Sequence, residues 1–137
     1  MRFLAWHVDY VKARPTERGR SPIAEDPRAV DAENALFVFA SFERNDEDNP
    51  EGVVEKAAAE LESIAAQVKV RSVVLNPFAH LFGEPSRPEA AVEMLGRLQS
   101  RLADRGFEVQ RLAFGMFYEL ELKAKGHRLA RMARSIS

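Results

Sequence analysis

The sequence predicts an α/β domain in which helices pack against one mixed β-sheet. Strand and helix signals alternate along the chain in the order β-β-α-β-α-β-β-α, which is typical of this class. The 137 residues, 46% of them hydrophobic and 30% charged, are enough for one ordinary core. No linker, repeat or low-complexity tract divides the chain. We therefore expect a single compact domain over residues 1–137.

The first two elements are predicted strands. Residues 2–11 are rich in aromatic and β-branched side chains, and residues 35–43 form a more continuous apolar run. The polar connection between them, residues 12–34, holds Gly19 and three prolines. So long a connection predicts either a functional loop or an extension of the hairpin.

A helix and a buried strand follow. Asn49 can cap the helix, Pro50 suits its first turn, and apolar residues recur at helical spacing as far as Val68. One apolar face of this helix is expected to pack on the sheet. Residues 71–76 then predict a strand in the core of the sheet.

A second helix is predicted between Ser86 and Gly106. Ser86 and Glu89 stand at capping-box spacing, an apolar stripe follows, and Gly106 is a signal for the end of a helix. Two strands are then predicted, at residues 107–114 and residues 117–125. In the second of these, apolar and charged side chains alternate, so one face of the strand should be buried.

The end of the chain is basic. Gly126 is expected to break the last strand, and residues 127–136 predict a short basic helix. Residues 1–70 carry 9 Lys and Arg against 14 Asp and Glu, whereas residues 71–137 carry 11 against 7, which gives the net charge of -1. Such a basic end is either a phosphate-facing surface or a solvated helix face.

Composition excludes several kinds of chemistry. The chain has no cysteine, so disulfides, thiolate metal sites and cysteine nucleophiles are excluded. No apolar run is long enough to cross a membrane, and the first residues lack the apolar length of a signal peptide. We expect a cytoplasmic protein that does not bind a membrane.

No standard catalytic motif is present, and one histidine is the main candidate. His7, His80 and His127 lie far apart in the sequence, and neither a metal nor another cofactor is predicted. His80 follows the strand at residues 71–76, where open α/β sheets bind ligands. Gly115 lies between aromatic residues and allows backbone to approach a ligand closely. The residues alone predict either a small apolar pocket with one histidine or a structural histidine bonded to backbone.

Five segments match one known family in their order and spacing. They are HVDY (7–10), NPEGVVEKA (49–57), NPFAHL (76–81), AFG (113–115) and KGHRLA (125–130). This pattern resembles the N-terminal editing domain of archaeal-type threonyl-tRNA synthetases, whose fold is similar to that of the D-aminoacyl-tRNA deacylases. The resemblance covers essentially the whole chain and implies a longer parent protein with other synthetase domains.

The resemblance implies a proofreading hydrolase that removes serine from mischarged threonine tRNA and spares threonine. The 2′-hydroxyl of the terminal adenosine would help a water to attack the ester. A second sieve is needed because one methyl group changes binding by only about 1–3 kcal/mol. The alternatives are a D-aminoacyl-tRNA deacylase and a non-catalytic domain for tRNA docking or amino-acid sensing.

The resemblance and the basic end together suggest roles for particular residues. His80 and Tyr118 would orient substrate and water. With His80, the substrate pocket would be formed by Phe42, Pro77, Ala79, Phe114, Gly115 and Phe117. The residues expected to contact tRNA are Lys125, Arg128, Arg131 and Arg134. Exposed sheet edges and the family both favour a homodimer.

Two departures from the family limit this transfer of roles. Better-known members carry Tyr-Tyr-Lys after the FG pair, whereas this chain has Met116, Phe117 and Tyr118. Where they carry Glu after the KGH segment, this chain has Arg131. A role that rests on that lysine or glutamate cannot be carried over, which favours assistance by the RNA itself. Tyr118 either offers a hydroxyl in place of the lysine or is a buried core tyrosine.

Overall fold

The computed structural model describes residues 1–81 and 84–137. In these ranges it contains six strands, two α-helices and two short 3₁₀ turns, the latter at Arg44–Asp48 and Ala79–Leu81. The strands are β1 (Arg2–Arg18), β2 (Val30–Ser41), β3 (Ser72–Pro77), β4 (Glu108–Arg111), β5 (Met116–Ala124) and β6 (Arg131–Ser135). The helices are α1 (Pro50–Val68) and α2 (Pro88–Asp104). The predicted α/β class is confirmed.

The sheet is mixed, as expected. Its strand order is β4-β3-β2-β1-β5, and β6 pairs with the first part of β1. Strand β1 is antiparallel to β2, β5 and β6, whereas β2, β3 and β4 run parallel to one another. The carboxyl ends of these three parallel strands therefore meet at one end of the sheet, which is where the sequence predicts His80.

Helices α1 and α2 contribute to one apolar core on the sheet. Leu61 and Ile64 of α1 and Leu98 of α2 share a cluster with Leu36 and Leu75 of the sheet, each 1% exposed or less. Truncating such a side chain to alanine costs about 2–5 kcal/mol, so this cluster holds the helices in place. Neither helix in the described ranges is long and apolar enough to span a bilayer.

The long polar connection at residues 12–34 is mainly an extension of the hairpin. Strand β1 continues to Arg18 and β2 begins at Val30, so that residues 19–29 remain as a loop. One of the two register shifts in the pairing of β1 with β5, between Pro15 and Glu17, lies in this extension. Ala13 and Val30 of this extension belong to a second apolar cluster with Val11, Phe37 and Leu112, against which Tyr118 packs.

The predicted signals at the start of α1 and the end of α2 are confirmed. Asn49 Oδ1 accepts a hydrogen bond from the Gly52 N–H at 3.2 Å, and Pro50 is the first residue of α1. Gly106 follows α2 with a φ of 89°, a conformation that glycine adopts without strain.

The start of α2 corrects one prediction. This helix begins at Pro88 after an N-cap at Arg87, and the cap makes no side-chain hydrogen bond. Ser86 and Glu89 therefore do not form a capping box. Proline explains the difference, because at the first helical position it fixes φ and has no N–H to be capped. The Ser86 hydroxyl is instead buried, with no partner in the part of the chain that the structure describes.

The last segment corrects another prediction. Residues 127–136 contain strand β6 instead of a basic helix. This strand pairs antiparallel with β1 from Arg2 to Trp6. The reason is that β5 begins to pair with β1 only at Val8, which leaves the first part of that edge open. Isolated helices of this length are marginal, so hydrogen bonds to an open edge decide the structure.

Candidate functional site

A cavity of about 470 Å³ lies at the end of the sheet, beside the segments that follow β3 and β4. We call it the large cavity, to distinguish it from a smaller neighbouring one. Its walls are formed mainly by residues 19–21, residues 76–80 and residues 112–118. Seven of the predicted site residues line it: Pro77, Ala79, His80, Phe114, Gly115, Phe117 and Tyr118. The described lining contains no Asp, Glu or Lys. The cavity is therefore largely apolar, with one histidine.

His80 is held at the rim by the chain that leaves β3. The Phe78 N–H donates to the carbonyl oxygen of Ala40 at 2.9 Å, which ties this segment to the end of β2. The 3₁₀ turn at Ala79–Leu81 then leaves the His80 side chain exposed. The rings of Phe78 and His80 meet edge to face, with centroids 6.2 Å apart. The imidazole is thus oriented by an aromatic neighbour and accessible to a ligand.

A glycine in the left-handed conformation shapes the opposite wall. Gly115 has a φ of 79°, and a Cβ at this position would lie 2.8 Å from the Cβ of Ala24. The close approach that the sequence pattern indicated is thus made by Ala24 of the same chain. Beyond this turn, the Phe117 side chain is 59% exposed at the cavity, which leaves its ring accessible to a ligand.

The hydroxyl of Tyr118 is hydrogen-bonded within the protein. It donates to the carbonyl oxygen of Arg28 at 2.7 Å and accepts from the Ala113 N–H at 2.8 Å. Its ring is half-buried against the second apolar cluster while also lining the cavity. The sequence leaves open whether Tyr118 is a site residue or a buried core tyrosine. In the structure its side chain both lines the cavity and packs in the interior.

Phe42 lies in a second, smaller cavity of about 180 Å³. The two cavities are neighbours, because both are lined by Pro77, Phe78, Ala79 and Phe114. Ser41 and Ser86, which are 1% and 7% exposed, also line the small cavity. Neither hydroxyl has a hydrogen-bond partner among the described residues. Since an unpaired buried hydroxyl costs about 1–3 kcal/mol, both are candidates to bond a ligand.

The four basic residues expected to contact tRNA lie outside the described lining of both cavities. Lys125 donates to Asp9, and this hydrogen bond lowers the pKa of the Asp9 carboxyl below its ordinary value of 3.8. Arg134 donates to Glu60 at 2.6 Å. Two of the four cations are therefore already paired with carboxylates.

Arg128 and Arg131 carry the unpaired charge of this surface. Both are exposed, and neither forms an ion pair with a carboxylate in residues 1–81 or 84–137. The Arg131 guanidinium instead lies 5.6 Å from the centroid of the Trp6 ring. Arg20, at the rim of the large cavity, is likewise exposed and unpaired within the described chain. Sequence reasoning missed Arg20 because it lies in a polar connection without periodicity.

The other two histidines bond each other and lie outside the described lining of the large cavity. His7 is 5% exposed and bonds both His127 and Asn34. Among the described residues, no group of three or more His, Asp or Glu side chains could hold a metal ion.

Similar proteins define the class of this domain as an editing domain of aminoacyl-tRNA synthetases. The family model of the archaea-specific editing domain of threonyl-tRNA synthetase matches residues 1–136, and the chain belongs to this family. The resemblance seen in the sequence is thereby confirmed.

Individual relatives agree with this assignment. The threonine-tRNA ligase of Thermococcus gammatolerans is 40% identical over 139 residues, which cover 99% of this chain and 22% of that protein. The ligase of Methanopyrus kandleri is 35% identical over 138 residues, with 100% and 22% covered. The chain thus spans less than a quarter of these curated relatives. A solved structure of c-Myc DNA Unwinding Element Binding Protein has a TM-score of 0.66 at 10% identity, covers 98% of both chains and shows likeness of fold alone.

Proposed function

We propose that this domain proofreads threonine tRNA by hydrolysing the ester of mischarged serine while it spares threonine. The observation that carries the proposal is the cavity at the end of the sheet, which gathers seven of the predicted site residues in a member of an editing-domain family. Such a domain is needed because a site that selects threonine for attachment to tRNA gains only about 1–3 kcal/mol of binding free energy from the threonine methyl.

The small cavity suits the discriminating part of this sieve. Its volume is about 180 Å³, and Phe42, Pro77 and Ala79 give it rigid or compact walls. The seryl side chain would enter it with the hydroxyl bonded to Ser41 or Ser86, whose own hydroxyls lack partners in the described chain. A threonyl methyl would press against walls that close packing keeps in place.

The chemistry depends more on water and RNA than on side chains. The described lining of the large cavity offers His80 no carboxylate with which to form a catalytic triad. In the proposed step, a water oxygen attacks the carbonyl carbon, and the bond from that carbon to the ribose 3′ oxygen breaks. The 2′-hydroxyl takes a proton from the water and delivers one to the 3′ oxygen. Serine and tRNA leave, while His80 orients the reactants and Tyr118 acts through the wall that its hydroxyl holds.

Exposed aromatic and basic residues would hold the 3′ end of the tRNA. Phe117 and Phe78, 59% and 40% exposed, offer rings on which the terminal adenine can stack. Arg20 stands at the rim to neutralise a phosphate, and Arg128 and Arg131 extend the contact to the backbone of the tRNA. The remaining partners would be other domains of a threonine-tRNA ligase and a second copy of the chain.

The decisive experiment is hydrolysis of threonine tRNA charged with serine, with threonine and with D-amino acids, side by side. We expect rapid release of serine and slow release of threonine. Equal rates on serine and threonine would contradict the sieve, and preference for D-amino acids would indicate selection by chirality. Binding of the charged tRNA without any hydrolysis would indicate a docking or sensing domain instead.

A further inference from the structure

The loop between β1 and β2, residues 19–29, is fastened to the turn that follows β4, and we call this loop the strap. The Gly19 N–H donates to the Gly115 carbonyl oxygen at 2.7 Å, and the Glu25 N–H donates to the Phe114 carbonyl oxygen at 2.9 Å. The contact leaves little space, because a Cβ on Gly19 would lie 2.7 Å from the Gly115 oxygen. The strap is therefore fitted closely to the turn.

The Glu25 carboxylate strengthens this attachment. Its Oε1 accepts from the Phe114 N–H at 2.9 Å, and its Oε2 accepts from Arg111 at 2.6 Å and from Arg28 at 3.4 Å. The Arg111 and Glu25 side chains are 10% and 16% exposed, and burial lowers the pKa of Arg111. Nε and Nη1 of Arg111 have no partner among the described residues. Glu25 is thus the carboxylate that balances a buried cation while it holds the turn.

Tyr118 attaches the strap at a second point. Its hydroxyl bridges the Arg28 carbonyl oxygen of the strap and the Ala113 N–H of the turn, at 2.7 and 2.8 Å. Tyr118 therefore ties the two segments together.

Both attached segments are walls of the large cavity. The strap contributes residues 19–21, and the turn and the start of β5 contribute residues 112–118. The hydrogen bonds between them hold two walls of the cavity together at this side. A change in these bonds would move Arg20 and Phe117 relative to His80.

We propose that Glu25 and Tyr118 are positioning residues, which clamp the strap to the turn and so fix the wall that receives the substrate. This inference rests on the proposed function. In it, Glu25 and Tyr118 affect the substrate by holding the cavity wall in place. Loosening the clamp should weaken substrate binding, because the cavity wall of the variant would have to become ordered when the substrate binds. Hydrolysis of substrate already bound should change much less.

The test compares Glu25→Ala and Tyr118→Phe with Asp26→Ala in the full chain. Asp26 is the neighbouring carboxylate of the strap, and it is exposed and without a partner in the described residues, so this control makes the same charge change. The probe is seryl-adenosine with a 3′-amide linkage, which cannot be hydrolysed as an ester. We expect Kd to rise about 10-fold in the two clamp variants and to stay unchanged in the control. The saturating rate on Ser-tRNA should change by less than about 3-fold.

Amide hydrogen exchange tests the clamp independently of activity. The Phe114 amide should exchange faster in Glu25→Ala, while the amides of α1 keep the wild-type rate. Glu25→Gln keeps an acceptor for that amide and should restore part of the protection. Tyr118→Phe keeps the proposal testable if Glu25→Ala, which leaves Arg111 unpaired, fails to fold.

The outcomes separate the two proposals. Unchanged exchange at Phe114, or equal weakening of binding by Glu25→Ala and Asp26→Ala, would overturn the clamp. Faster exchange at Phe114 with unchanged Kd would overturn its positioning role. A wild-type chain that does not bind the seryl probe would overturn the proposed function, whatever the exchange rates show.

Discussion

Nδ1 of His7 lies 2.8 Å from Nε2 of His127, so a buried histidine of β1 is bonded to an exposed histidine near the end of the chain. Neighbouring contacts set the tautomers. The Leu129 N–H donates to Nδ1 of His127 at 3.1 Å, so His127 carries its proton on Nε2 and donates it to His7. Nε2 of His7 then donates to Oδ1 of Asn34 at 2.8 Å. A continuous chain of hydrogen bonds thus joins residues 125–130 to the sheet.

Replacement of His127 should therefore destabilise the fold. His127→Ala leaves Nδ1 of His7 buried without its partner, and we expect a loss of about 1–3 kcal/mol in the free energy of unfolding. Urea denaturation measures this loss. Arg128→Ala is the matched control, because Arg128 is exposed and unpaired in the described chain. Equal unfolding midpoints for the two variants would show that the histidine contact contributes nothing.

The basic surface should contribute to tRNA binding unevenly. Arg128→Ala and Arg131→Ala together should lower the slope of log affinity against log salt by about 1–2, because each unpaired cation displaces about one counterion. Lys125→Ala and Arg134→Ala should have smaller effects, since their charges are already balanced by carboxylates. Filter binding at several salt concentrations measures the slope. If the double variant keeps the wild-type slope, these arginines form only a solvated surface.

Asp9 gives stability a pH dependence of definite sign. The hydrogen bond from Lys125 is the largest cause that lowers its pKa below 3.8. The ion pair therefore stabilises the folded state above about pH 4, and this contribution is lost as the pH falls through the lowered pKa. Between about pH 6 and pH 2, the wild-type free energy of unfolding should fall more steeply than that of Asp9→Asn. Parallel curves in chemical denaturation would contradict this assignment, and Glu33→Gln serves as an exposed control.

The oligomeric state can be tested directly. The sheet ends in strands β4, β5 and β6, whose outer edges have unpaired backbone groups in the described chain. Such edges favour pairing with a second copy, and we expect a homodimer at micromolar concentration. Sedimentation equilibrium measures the mass. A monomeric mass at micromolar concentration would contradict the predicted homodimer.

The fold could be predicted from the sequence wherever local signals were sufficient. Asn49 and Pro50 mark the start of α1 because capping acts within one turn. The sequence of residues 127–136 predicts a helix, whereas the structure has β6 at Arg131–Ser135, because the partner of this strand is the distant first part of β1. Basic residues in a short segment fit a period of two as well as a helical one, so only the open edge decides between them.

The candidate site was predictable to a similar extent. That residues 76–80 and residues 112–118 are candidates is predictable, because each is a short motif beside a recognisable strand, and the two segments line one cavity. Glu25 was missed, because its importance comes from contacts to Phe114 and Arg111 that sequence distance conceals. Ser41 was missed for another reason: a serine at the end of a buried strand has no signal that distinguishes an unpaired hydroxyl from a paired one.

The role of His80 can be separated from that of the RNA. If this histidine were an obligatory general base, His80→Ala should cost about 100-fold or more in rate. The exposed imidazole has no carboxylate partner in the described lining of the large cavity. We therefore expect a smaller loss, with no titration of the rate between about pH 5 and pH 8, where histidines change charge. Single-turnover hydrolysis of Ser-tRNA over this pH range measures both the loss of rate in His80→Ala and the pH dependence of the wild-type rate.

The complementary experiment uses a substrate that lacks the 2′-hydroxyl of the terminal adenosine and carries the seryl ester on the 3′ oxygen. If that hydroxyl carries the proton from the attacking water to the 3′ oxygen, its loss should abolish most of the hydrolysis. Binding should remain largely intact, because the adenine, the ester and the seryl side chain still reach the cavities. Competition against the 3′-amide probe would measure this binding alongside the rate. Rapid cleavage of the deoxy substrate would return proton transfer to His80 or to Tyr118, whose hydroxyl would then have to leave its bond to the Arg28 carbonyl oxygen.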